Sequence, residues 1–454
     1  MHRSLKSAVS ILFILTLLAF ATQRFMLAWE ASSEAPTDTW QASNYWVQSA
    51  HCAKEYGILL VGCDNGVIVP FADISLADDT GHALLLGVFE MATGADVQLS
   101  DAARLNVIIN YTGIVLVTGL LLQVGLRWGA AIVFGGLSLY AGAYIGVAPH
   151  PAQLGGSLLA ACLPISILCL PKAGVPSPAY WLWISLSAAA LGLSLLLRQS
   201  VGTMGVIASF VAIAVFAWPR RSSLSKMAAA ALLAVLVGLA VLTPTLTLRA
   251  RDAIWDVPAA KKIESHGIWH NVFIGLGVID NKFGIEWSDA SGADRVQQID
   301  PSVAYVSEKY YQILKDEYFN TIKSAPFDVA SIYIRKLGMV LQQHLAKPLI
   351  PLLPWSLSLL LVVILTIVSS RFNDENLRAQ TFHARKELQF ISALFVCAFV
   401  IQGVLVHPST QYLFPVGAFL VIVASSDIER LISALAEAGR RLAVYAINER
   451  NSLG

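Results

Sequence analysis

Apolar residues run nearly unbroken for about twenty positions at a time along most of this chain, the length a helix needs to cross a bilayer core. The runs predict membrane spans near residues 7–28, 105–126, 129–148, 154–170, 179–197, 201–218, 227–245, 349–369, 388–407 and 411–426, about ten in all. Two long polar stretches, 29–104 and 246–348, interrupt them. In the first, Thr80–Gly94 places Leu84, Leu85, Val88, Phe89 and Met91 near one helical face, which predicts a helix lying along the membrane interface. In the second, Tyr305–Lys323 reads as an amphipathic helix ended by Ser324-Ala-Pro326, and Asp328–His344 reads as another. Residues 427–448 have the pattern of a membrane-surface helix bearing Arg440 and Arg441. The expected fold is an all-α polytopic membrane protein. It divides into a membrane module (1–245), a long polar loop with short helices (246–348), C-terminal spans (349–426) and an amphipathic tail (427–454).

Composition agrees with that pattern. Of 454 residues, 56% are hydrophobic and 13% charged, and the mean hydropathy is +0.63. A net charge of +1 provides no bulk basic field for nucleic acid. The distribution of basic residues says more than their number. Arg3 and Lys6 precede the first run, and Arg127, Lys172, Arg220, Arg221 and Lys226 fall in alternate short connections. Ala148–Gln153 and Val406–Tyr412, on the opposite side, contain no Lys or Arg. The positive-inside rule places both termini in the cytoplasm and the two polar stretches outside. The apolar run from Ala8 to Ala21 is long for a cleaved signal and no clear small-residue cleavage site follows, so it is read as a retained span.

Cys162, Cys169 and Cys397 fall within expected spans as packing residues. Cys52 and Cys63 share the first polar stretch, where a disulfide is favoured over a metal site because no third or fourth soft ligand accompanies them. No phosphate-binding glycine loop of either common type is present, so a nucleotide donor finds no cradle here.

The candidate chemistry lies in the polar stretches. Asp78 and Asp79 immediately precede the interfacial helix. A carboxylate held at a membrane surface is costly unless it has a task; an adjacent pair can supply a general base and a group that tunes it, orients a substrate or helps hold a divalent cation. A solvated loop pair is the bland alternative. Arg198 is the lone basic residue in a short outer connection, where it suits a lipid phosphate or snorkels to headgroups. His266, Trp269, His270 and Asn271 form a third group, suited to phosphate or hydroxyl contacts or to ordinary loop packing. The two histidines are four apart, half of a zinc pattern, but no glutamate completes it.

Together, the inward N-terminus, the large first outer loop with its Asp78-Asp79 pair, the juxtamembrane helix and Arg198 at an outer helix break resemble the GT-C superfamily of membrane glycosyltransferases. The resemblance covers roughly residues 1–245 in organisation and implies a GT-C-like helical bundle. It also implies an inverting transfer of a sugar, such as a pentofuranose like arabinose, from a polyprenyl-phosphate donor. The acceptor would be a cell-envelope glycan or a surface protein at the outer face of a bacterial inner membrane. Asp78 or Asp79 would be the base, and Arg198 would hold the donor phosphate; His266, Trp269, His270 and Asn271 would contribute donor contacts. No cofactor is assigned with certainty, and a divalent cation is left open. The pair is Asp-Asp where Asp-Glu is frequent, and its distance from the first span is long for the family. An O-antigen ligase or polymerase, suggested by His270-Asn271, and a lipid or solute transporter are the alternatives. The polar segment Asp280–Asp300 after the His-Asn element speaks against the ligase, and the absence of an internal repeat speaks against the transporter.

Overall fold

A computed structural model describes residues 2–33, 41–64, 66–74, 80–144, 153–169, 178–217, 224–258, 260, 267–342, 364 and 379–452. The protein is overwhelmingly helical and membrane-embedded, as its apolar runs require. Among the described residues, five helices are long and apolar enough to cross a bilayer: Leu99–Gln123, Pro178–Leu197, Gln199–Phe216, Met227–Trp255 and Arg385–Leu405. This corrects the expectation of about ten spans.

The differences have physical causes. The run at 154–170 is α7 (Gln153–Cys169), only 17 residues long and buried along its whole length. An apolar run cannot distinguish a helix enclosed by other helices from one bathed in lipid. The expected run at 7–28 lies within the first helix, α1 (His2–Ser33). The expected span at 349–369 lies outside the described residues, residue 364 aside.

Around α7 pack α5 (Leu99–Gln123), α8 (Pro178–Leu197) and α9 (Gln199–Ala217), together with α15 (Ala379–Leu405) and α16 (Thr410–Ser452). Small residues and short polar links set these contacts, as expected where lipid offers no hydrophobic driving force between helices. A Cβ on Gly155 of α7 would lie 2.7 Å from the Ile109 backbone of α5, and one on Gly205 of α9 would lie 2.8 Å from Ala160 of α7. The Asn110 side-chain oxygen accepts from the Gly155 N–H at 2.8 Å, meeting a donor that the helix start leaves open. Ser194 Oγ donates to the Gly156 carbonyl at 2.8 Å, and Ser166 and Ser187 share a 2.7 Å hydrogen bond.

On the other side of α5 lies α6 (Arg127–Tyr144), in contact with α1 and α16. The run at 411–426 and the amphipathic tail form a single 43-residue helix, α16. Glu429 on its polar half accepts from Gly129 N at 2.7 Å, placing a carboxylate at the positive end of α6.

The first polar stretch folds as α2 (Gln41–Tyr56), a β1–β2 hairpin (Val61–Asp64 and Val67–Pro70), the short α3 (Phe71–Ile74) and α4 (Thr80–Thr93). Cys52 and Cys63 are disulfide-bonded, tying α2 to β1 across a separation of 11 residues. The long helix α10 (Leu224–Trp255) continues past residue 245 to meet this unit. Arg251 Nη1 donates to the Leu60 carbonyl at 2.8 Å, and Trp255 and Val257 pack with Ile58, Val61 and Ile68 around the disulfide.

The second polar stretch is a helical unit with its own core: α11 (Ile268–Gly275), a 3-10 turn, α12 (Asp289–Ile299), α13 (Glu308–Ser324) and α14 (Pro326–Gln342). Ser288 and Ser307 cap α12 and α13 by accepting from the N–H groups of Ser291 and Tyr310. The helices expected at Tyr305–Lys323 and Asp328–His344 are α13 and α14, within three residues at each described end.

A buried lysine joins this unit to the bundle. Lys336 of α14 is fully buried; its ammonium donates to Gly275 O at 2.9 Å, Val406 O at 2.9 Å and Leu405 O at 3.2 Å. One side chain thereby satisfies carbonyls at the ends of both α11 and α15. Replacing it by Met keeps the stem volume but leaves those carbonyls without a donor. Lys336→Met should therefore lower stability by about 2–3 kcal/mol, measured as a lower thermal midpoint in detergent. Arg335→Met, at its exposed neighbour, should leave the midpoint within measurement error. An unchanged midpoint for Lys336→Met would show that the clamp contributes nothing.

Candidate functional site

Helix α4 begins at Thr80, the residue after the Asp78-Asp79 pair, and its first turn is wedged into the bundle. A Cβ on Gly81 would lie 2.8 Å from the carbonyl carbon of Leu196 and 2.9 Å from the nitrogen of Leu197. Only glycine permits that approach, so the start of α4 sits directly on the end of α8, one residue before Arg198. Asp78 and Asp79 themselves lie outside the described residues.

His82, in the first turn of α4, is completely buried. Its ring stacks on Trp46 of α2, with centroids 4.2 Å apart and planes 10° from parallel. Its Nε2 lies 3.0 Å from Asn106 Oδ1 of α5, while Nδ1 is buried and meets no hydrogen-bond partner among the described residues. Burial pushes the imidazole pKa down to about 4; the Asn106 hydrogen bond opposes that shift and the Arg198 charge adds to it. The ring is neutral at physiological pH. The Asn106 contact holds the Nε2 edge of the ring.

Arg198 occupies the single-residue break between α8 and α9 and is only 8% exposed. Its N–H donates to Ser194 O at 2.8 Å, and its carbonyl accepts from the N–H groups of Val201 and Gly202. These bonds close α8 at Arg198 and start α9 from its carbonyl. A headgroup-snorkelling arginine is exposed at its tip; this one is enclosed by protein. Of the two expectations for Arg198, burial disfavours the snorkelling one.

The third group is divided. His266 lies outside the described residues. His270 is buried in the second polar unit, with Tyr310 Oη 2.7 Å from Nδ1 and Asp289 Oδ1 3.0 Å from Nε2. Both ring nitrogens thus have partners within that unit, and the lining of Gly292 against the ring leaves little space beside it. Trp269 is half-buried beside Tyr318 and Phe319, with Lys315 Nζ 5.5 Å from its ring centre. Asn271 is half-buried in the same helix. The described geometry therefore ties Arg198 to α4 and His270 to the α11–α13 packing.

Three possible cation ligands come together away from these residues. Single atoms of His51 on α2, Glu90 on α4 and Asp96 in the following loop lie within 4.8 Å of one another. His51 Nδ1 is 2.9 Å from the buried Glu90, whose other oxygen accepts from Val97 N. The Lys54 ammonium already contacts Asp96 at 2.5 Å, which satisfies the group as an ion-pair network between α2 and α4. It fixes the two helices that flank His82.

His82 was not singled out in the sequence, where it reads as one polar residue on an amphipathic helix. Its burial follows from the close approach of Gly81 to α8, a tertiary contact without a period or spacing in the chain. No protein family, curated protein or solved structure matches this chain.

Proposed function

We propose that this protein is an inverting membrane glycosyltransferase of the GT-C type. It would move a sugar from a polyprenyl-phosphate donor to a glycan or surface-protein acceptor at the outer face of a bacterial inner membrane. The observation that supports this reading is the placement of Arg198. A guanidinium enclosed at the break between two membrane-length helices, against the helix that follows the acidic pair in sequence, suits an anionic group entering from the lipid.

In this mechanism the donor phosphate meets Arg198, and Asp78 or Asp79 removes the proton of the acceptor hydroxyl as it attacks the anomeric carbon. The bond from that carbon to the phosphate oxygen breaks, and the polyprenyl phosphate leaves with the electron pair. Binding an anion at Arg198 requires no nucleotide cradle, in agreement with the absence of one in the sequence.

The test is purified protein in lipid nanodiscs with a panel of polyprenyl-phosphate sugars, each with and without envelope glycan acceptors. Release of polyprenyl phosphate should require both substrates and exceed the donor-alone rate at least about tenfold, the difference expected of a required nucleophile. Failure to cleave any donor, or passage of the sugar lipid across the bilayer with its bond intact, would replace the transferase by a transporter.

A further inference from the structure

Helix α14 divides its surface into three sectors. Val329, Ile332, Lys336 and Val340 recur at three- and four-residue steps and are buried. Asp328, Ser331 and Arg335 form an exposed polar flank on one side. The opposite flank is exposed and apolar: Phe327 is 89% exposed and Ile334 69%, and Leu337 and Leu341 continue the row. A helix on a water-surrounded unit needs only a buried face and a wetted one. The third sector asks for a third environment.

Where α14 is held identifies that environment. Val329 packs in the core of the second polar unit, whereas Val340 belongs to the core of the bundle. A Cβ on Gly403 would lie 3.3 Å from Val340, and Lys336 donates to the carbonyls of Leu405 and Val406. These residues end the membrane-length helix Arg385–Leu405, whose 21 residues rise about 31 Å, the thickness of a hydrocarbon core. Its end marks the boundary between acyl chains and headgroups, and Lys336 and Val340 pin α14 there. Ile334, Leu337 and Leu341 lie within about 8 Å of helix from Lys336. Ile401, one turn before the end of α15, is itself exposed, so the apolar surface of the span reaches the same level. From this apolar stripe pinned at the end of a membrane-length helix, we infer that α14 is an interfacial helix whose Ile334–Leu337–Leu341 row faces lipid acyl chains and docks the second polar unit onto the bilayer. The unit is then held twice, by the Lys336 clamp to protein and by the stripe to lipid. This surface needs no glycosyl transfer and stands whatever reaction the chain performs.

The test is nitroxide accessibility on the full chain in nanodiscs of phosphatidylethanolamine and phosphatidylglycerol. With Cys397→Ala, the remaining cysteines are the Cys52–Cys63 disulfide and the buried Cys162 and Cys169, so one added cysteine takes the label. Ile334→Cys, Leu337→Cys and Leu341→Cys are compared with Asp328→Cys and Arg335→Cys, all at exposed positions where substitution costs little. Molecular oxygen concentrates among acyl chains, and a neutral nickel chelate stays in water. Labels at the three apolar positions should relax more with oxygen than with nickel, and labels at the two polar positions the reverse. The preference should therefore change sign between Ile334 and its neighbour Arg335. Greater access to nickel than to oxygen at Ile334 and Leu337 would put the stripe in water and overturn the inference. Low access to both reagents there would show protein covering the stripe, a second copy or another partner, and would overturn it equally. One folded label from each set, confirmed by an unchanged thermal midpoint, decides among these results.

Discussion

Replacing Asp78 or Asp79 by Asn should lower sugar transfer by about 10²–10⁴-fold for the residue that serves as base, with the protein still inserting in membranes and still binding donor lipid. Asn conserves shape and one hydrogen-bonding oxygen, so the loss isolates the proton-accepting role from packing. The two single variants should differ. The residue whose change spares most activity orients the acceptor or tunes its neighbour, and the residue whose change removes activity takes the proton. The measurement is released polyprenyl phosphate at saturating donor and acceptor, beside donor binding followed by tritiated lipid. Full activity in both variants would sink the general-base assignment. Loss of donor binding in both would make the pair a binding element instead.

The sequence made some of this architecture legible and left other parts hidden, for reasons that can be stated residue by residue. The helix after the acidic pair was readable because Leu84, Leu85, Val88, Phe89 and Met91 repeat with the helical period, and α4 begins and ends within a residue of that expectation. The Cys52–Cys63 bond was readable from two cysteines sharing one polar stretch. The count of spans was not. α7 has the same apolar character as a lipid-facing helix, and only the Gly155 and Gly205 contacts with its neighbours reveal it as the enclosed centre. Lys336 reads as a charge on an amphipathic surface helix, yet its acceptors are carbonyls 61 to 70 residues away. Backbone acceptors have no side-chain signature, so such a clamp cannot be found by reading residue types.

The same distinction applies to the site. Arg198 stood out because a lone arginine in a connection expected on the outer side breaks the charge bias of the loops. Its burial, which a residue snorkelling to headgroups would not have, accompanies the packing of α4 against α8. His270 stood out through its neighbours in the sequence, and its contacts to Tyr310 and Asp289 come from α13 and α12, which no local pattern connects to it. Burial and long-range contact, more than residue type, decide how a polar residue's hydrogen-bonding groups are met.

Arg198 accordingly carries the second large expectation. Charge-assisted hydrogen bonds contribute about 1.5–3 kcal/mol each, so Arg198→Ala should raise the donor KM or Kd by about 10–100-fold while changing the acceptor KM little. Arg198→Lys keeps the positive charge but loses the planar fork, and should recover part of the donor affinity. The alanine variant also removes a buried side chain, so its thermal midpoint is measured beside its kinetics; Lys, of similar length, limits that disturbance. Salt supplies an independent readout. A donor phosphate held in a protein-enclosed site should be less sensitive to added sodium chloride than a headgroup attracted at the membrane surface. Equal losses toward donor and acceptor in both variants, with a lowered midpoint, would make Arg198 a structural residue of the α8–α9 break. A selective donor defect that lysine partly restores would require the guanidinium to face the donor.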